Sequence, residues 1–193
     1  MKTITRIAAL AALMLMTTAT VSAKENLLDS EKASFELEGA KPGSVKGWVN
    51  SAEGYYGYST EKAYEGNASM KFYIDDTTVK DDFKNSIIMK SSDKIALVKG
   101  EKYKISFWIY IDKKESKKLS AISVVQGTPW KELYKIQTSK IAKDKWVQVE
   151  TDEFVYDGDA ASTPIVFKLF ANGGSKAINV SCYIDCVEVV AAK

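Results

Sequence analysis

Residues 103–111 read Tyr-Lys-Ile-Ser-Phe-Trp-Ile-Tyr-Ile, with a large apolar side chain at every second position. A backbone whose side chains alternate between two faces is a β-strand, and this pattern leaves no room for a helical stripe. The same alternation recurs at Met70, Phe72 and Ile74 and again at Ile165, Phe167 and Leu169. Further strands are expected around 32–37, 54–60, 85–90, 118–126, 132–138, 145–156 and 177–190. Turn residues separate them: Lys41-Pro42-Gly43-Ser44, Glu65-Gly66-Asn67, Lys99-Gly100-Glu101, Asp157-Gly158-Asp159 and Asn172-Gly173-Gly174. The 79–84 segment and the charged run Lys113–Lys118 read as loops. About ten short strands without helices predict an all-β fold, a two-sheet β-sandwich of the jelly-roll kind.

The first 23 residues stand apart. Lys2 and Arg6 precede an uncharged run from Ile7 to Met16, and small residues close the segment at Val21-Ser22-Ala23. This is the pattern of a cleaved signal peptide, and its apolar run is well short of the roughly 20 residues that span a bilayer. The expectation is a chain exported to the periplasm or medium, with residues 24–193 as a single domain and no membrane span. Lys2 and Arg6 leave with the leader, so the mature charge falls from +2 to near zero.

Arg6 is the only arginine, and the chain has no histidine. A neutral surface without arginine is a poor reader of nucleic acid or heparin-like polyanions. Without histidine, serine and cysteine nucleophiles lack their usual base. Cys182 and Cys186 lie four residues apart on one expected strand, roughly 13 Å and beyond the reach of a disulfide. Both are expected to remain thiols.

Three aromatic clusters are candidate ligand sites. If Ile105, Phe107 and Ile109 face the core, Trp108 and Tyr110 face away from it. They form either an exposed platform or a surface packed beneath a loop. Gly127-Thr128-Pro129-Trp130 puts a tryptophan on a turn, with Gln126 before it and Tyr134 after it. The readings are one end of a cleft or a lid on the core. Tyr55-Tyr56-Gly57-Tyr58 places Tyr56 and Tyr58 on one side, as a groove wall or as edge-strand packing. Asp75-Asp76 and Asp81-Asp82 are adjacent acids that point opposite ways on a strand, which does not suit paired acid catalysis. Asp157-Gly158-Asp159 is read as a turn.

The order of short motifs resembles a known family. Asn26-Leu27-Leu28 precedes Ser34-Phe35-Glu36 and Gly47-Trp48. Ala63 through Phe72 (AYEGNASMKF) and Gly100 through Trp108 (GEKYKISFW) follow, then Trp146 to Phe154, and Tyr183-Ile184-Asp185-Cys186-Val187 ends the series. Together these resemble carbohydrate-binding modules of the family 4/9/22 type, and are similar to family 11 modules. The resemblance implies a jelly roll that binds a neutral polysaccharide or oligosaccharide without reacting, either beside a separate polysaccharide-degrading enzyme or by itself. Trp48 and Trp146 would be framework residues of the core. A structural calcium is also implied, held by Glu36, Asp185 and backbone carbonyls near Asn67. The alternatives are an exported structural or adhesive sandwich that binds protein, and a small jelly-roll hydrolase or lyase.

Overall fold

The computed structural model describes residues 25–41, 43–50, 56–74, 86–91, 94–115, 118–159, 162–172 and 180–192. The expected leader over 1–23, Tyr55 and the acidic pairs at 75–76 and 81–82 lie outside the described residues.

Two antiparallel sheets carry the fold. One has the order β1 (Trp48–Asn50), β4 (Ser86–Ser91), β12 (Ile165–Ala171), β7 (Leu119–Gly127) and β8 (Trp130–Gln137). The other runs β10 (Phe154–Val155), β6 (Lys102–Ile111), β13 (Val180–Ala191), β3 (Ser69–Ile74) and β2 (Tyr56–Ser59), and β9 (Trp146–Glu150) also pairs with β6. A two-strand ribbon joins β5 (Ile95–Ala96) to β11 (Ser162–Thr163).

The alternation in β6 sorts as the sequence requires. Ile105, Phe107, Ile109 and Ile111 are fully buried, each contributing roughly 1.5–3 kcal/mol by leaving water. Phe107 meets Phe167 of the opposite sheet edge to face, with centroids 5.0 Å apart. Phe167 also touches Trp48, which is buried as expected. These contacts join the two sheets into one core.

The strand expected at 32–37 is replaced by a one-turn helix, α1 (Ser30–Ala33), and a loop. The Asp29 carboxylate accepts the Glu31 amide, and the Asp29 carbonyl accepts the Ala33 amide, so the chain closes a helical turn locally. Phe35 then takes a positive φ of 58° and enters the core against Trp48. The charged run contains a short 3-10 turn at Lys113–Glu115, whose first amide is accepted by Asp144.

Strand β13 contains a bulge between Asp185 and Glu188, where Cys186 adopts a φ of 46°. The extra residue returns Val187 and Val189 to the core while Asp185 faces outward. Both cysteines are free thiols, Cys182 buried and Cys186 half-buried. Burial raises both thiol pKa values, that of Cys186 to about 12, which disfavours the reactive thiolate form.

Candidate functional site

On the outer face of the six-stranded sheet, Trp108 and Tyr110 do point away from the core. A loop crosses above them, however. Tyr64 lies flat on Trp108, with centroids 3.7 Å apart and planes 12° from parallel. Trp146 meets Tyr64 and Tyr110 by its edge, and Tyr110 meets Tyr183 in the same way. The Lys62 ammonium sits 4.3 Å from the Tyr110 centroid. The ring face that a flat ligand would use on Trp108 is therefore occupied by the protein itself. Trp146, expected in the core, is half-buried in this outer cluster, because its strand pairs it with Tyr110 rather than with an inward residue.

Two carboxylates hold that loop in place. Asp185 accepts the amides of Tyr64 at 2.8 Å and Glu65 at 3.3 Å through one oxygen, and that of Cys186 at 2.8 Å through the other. Glu36 accepts the amides of Asn67 and Ala68 at 2.9–3.2 Å. Glu36 also lies against the bare α-carbon of Gly66, whose φ is 67°. These are the residues expected to hold calcium, and they do converge on one loop. Both accept backbone N–H donors, and every one of the four carboxylate oxygens faces an amide. Asn67 contributes its N–H. Among the described residues no three Asp, Glu, His or Cys side chains gather to hold a metal. A hard cation needs a cage of free oxygen lone pairs, and this arrangement does not fit one.

The second and third clusters do not assemble as expected. In β7 the core side is occupied by Ile122 and Val124, so Gln126 faces inward, fully buried. Neither its amide nitrogen nor its oxygen has a hydrogen-bond partner among the described residues. Tyr134 is paired opposite Val124 and packs on the core. Tyr56 and Tyr58 also turn inward on β2, and burial raises the Tyr56 hydroxyl pKa to about 12. Period two places all four on core faces, and the sequence alone does not say which parity of each strand is inward. Beside β2 lies a hollow of about 310 Å³ lined by Ser59, Glu61, Lys71 and Tyr73 among others. Its charged groups are already satisfied, since Glu61 takes both the Lys71 ammonium and the Tyr183 hydroxyl.

Trp130 is different. It is 56% exposed and belongs to the outer parity of the five-stranded sheet, opposite Gly127. The turn beneath it is fixed. Gly127 donates its amide to the Pro164 carbonyl, the Thr128 amide is accepted by Thr163, and the Tyr156 hydroxyl reaches the Thr128 carbonyl. Lys131 pairs with Asp157.

From Trp130 a trough runs along this face. Its floor is β7, whose outward residues Ala121, Ser123 and Val125 are short and buried beneath their neighbours, with Gly127 half-buried at the end. On one side β12 raises Lys168 and Phe170, and on the other β8 raises Gln137, Lys135, Glu132 and Trp130. The walls stand two strand spacings apart, roughly 10 Å, and the rows from Phe170 to Trp130 cover roughly 20 Å. Ser123 donates a 2.6 Å hydrogen bond to Glu132. The ammonium groups of Lys135 and Lys168 lie 4.4 and 4.8 Å from the Phe170 centroid. Sequence reasoning found Trp130 but missed the rest. The signal was present, since Lys168 and Phe170 alternate with the core residues of β12 just as Trp108 does in β6.

A family model described as "Carbohydrate binding domain" (CBM_4_9) matches residues 31–172. No curated protein matches the chain. Among solved structures, TmCBM61 in complex with β-1,4-galactotriose is similar at a TM-score of 0.54 and 16% identity, over 87% of this chain and 99% of that one. The CBM22-1 xylan-binding domain of Paenibacillus barcinonensis Xyn10C gives 0.54 and 18%, over 89% and 97%. The arabinose-bound α-L-arabinofuranosidase MgGH51 gives 0.61 and 12%, over 87% of this chain but only 26% of that enzyme. At these identities the likeness is one of fold, a β-sandwich.

Proposed function

The chain belongs to the carbohydrate binding domain family CBM_4_9, and from that premise we propose that it holds a polysaccharide or oligosaccharide in the trough of the five-stranded sheet, without reacting with it. The observation that carries this is the pairing of Trp130 and Phe170 on one face, at opposite ends of a floor of short side chains. Sugar rings offer apolar C–H faces to aromatic planes, and the polar groups of this face (Glu132, Lys135, Gln137 and Lys168) suit their hydroxyls. Binding without reaction is the reading that the family's description as a carbohydrate binding domain supports.

A glycan array with the 24–193 protein tests the reading, followed by affinity measurements on Trp130→Ala and Phe170→Ala. Stacking losses of roughly 1–3 kcal/mol are expected, by analogy with aromatic stacking on planar ligands. Unchanged affinity in both variants overturns the trough as the site. A protein-binding, adhesive sandwich becomes the better reading if the array is blank while a protein ligand is captured.

The proposed setting is extracellular or periplasmic, on the strength of the 1–23 segment. Among the described residues no helix is long and apolar enough to cross a membrane. Mass spectrometry of the protein from the medium or periplasm is expected to place the N-terminus at Lys24, and intact Met1 on that material would refute processing. A separate polysaccharide-degrading enzyme is the proposed functional partner, since a module that binds without reacting serves to hold such an enzyme near its substrate. We read Glu36 and Asp185 as a clasp on the Tyr64 loop in place of a calcium cage.

A further inference from the structure

We infer that the glycan held in the trough carries carboxylate groups, as a polysaccharide with uronic acid residues does; this rests on the trough reading. The argument is one of unpaired charge. Lys46, Lys62, Lys71, Lys99, Lys102, Lys104 and Lys131 each have a carboxylate partner within ion-pair distance. Lys135 and Lys168, like Lys94, Lys114, Lys140, Lys143 and Lys145, have none among the described residues, but these two share one row of one sheet face.

Their placement is specific. Lys168, Ser123 and Lys135 form one row straight across β12, β7 and β8. Ser123 is short and buried, and both long side chains bring their ammonium groups to the Phe170 ring. Two like charges converging on one ring repel each other, and the ring quadrupole offsets only part of that cost. Glu132 is the one described carboxylate nearby, and it is turned to the Ser123 hydroxyl. The row thus keeps a net positive charge on a protein whose total charge is near neutral. A carboxylate brought between the two side chains would accept charge-assisted hydrogen bonds from both ammonium groups. Neutrality of the whole chain argues against polyanions binding over a broad surface, and a single basic row argues for separate carboxylates met one at a time.

The test uses polygalacturonate, alginate and glucuronoxylan, each beside its carboxyl-reduced, uncharged form. The acidic form of at least one is expected to bind more tightly than its reduced form, and to weaken as salt rises from about 50 to about 500 mM. Lys135→Gln and Lys168→Gln are each expected to lose about tenfold in affinity for it, the size of one charge-assisted hydrogen bond, with unchanged melting. Equal binding of acidic and reduced forms, or full affinity in both lysine variants, overturns the inference. Loss in Trp130→Ala on a neutral glycan, with no effect of either lysine, would leave the trough standing and remove only the acidic ligand. No binding to any glycan would remove both.

Discussion

Trp108 and Trp130 show how far a single side chain's role depends on what lies above it. Both occupy the outward parity of a strand, yet Tyr64 covers one and nothing described covers the other. Trp108→Ala should therefore cost about 3 kcal/mol of stability, the lower end for truncating a large aromatic in a packed site, and leave glycan affinity unchanged. Trp130→Ala should do the reverse, shifting stability by less than about 0.5 kcal/mol. Urea unfolding and affinity on the same two proteins separate the roles. Gln126 makes a third case. Its buried amide lacks partners, and an unmet polar group costs about 1–3 kcal/mol. Gln126→Met keeps the length and removes the amide, so the urea midpoint should rise. A fall would show that the amide is satisfied in solution.

At the scale of elements, the loop carrying Tyr64 is held by side chains from two distant segments of the chain. Glu36 comes from the loop after α1 and Asp185 from the bulge of β13, and each bonds backbone amides. Burial pushes the Asp185 carboxyl above its ordinary pKa, against the pull of the three amides that favour its charged form. A carboxyl whose pKa is raised on folding binds its proton more tightly in the folded state. Its contribution to stability is therefore fully present below the unfolded value and is lost as pH rises through the folded one. Asp185→Asn removes this titration. The stability of the wild type relative to the variant should thus fall as pH rises through the window above the ordinary aspartate value of 3.8. Urea midpoints across the acid range check it, and a constant difference would mean that Asp185 titrates normally.

The whole molecule is a two-sheet sandwich whose two outer faces have been put to different uses. One is closed by an aromatic loop held by carboxylates, and the other presents an exposed Trp130 beside rows of polar side chains. If the clasp needs no cation, melting curves with calcium and with a chelator should coincide, because a ligand bound only by the folded state would raise stability by mass action. A calcium-dependent rise lost in Glu36→Ala would restore the cage. The sequence by itself determined the all-β class, the inward side of β6, the burial of Trp48 and the free state of the two cysteines. The class, the inward side of β6 and the free cysteines follow from residues close together in the chain, through period-two alternation and the reach of a strand, whereas Trp48 came from the family resemblance. It also carried the motif order by which the family was expected. Only the tertiary structure decided which outward aromatics remain open. The stack of Tyr64 on Trp108 joins residues 44 positions apart, and the row Lys168, Ser123, Lys135 draws on three strands. Alternation tells which residues share a face of one strand, but strand order and register decide which faces meet and which loop covers them.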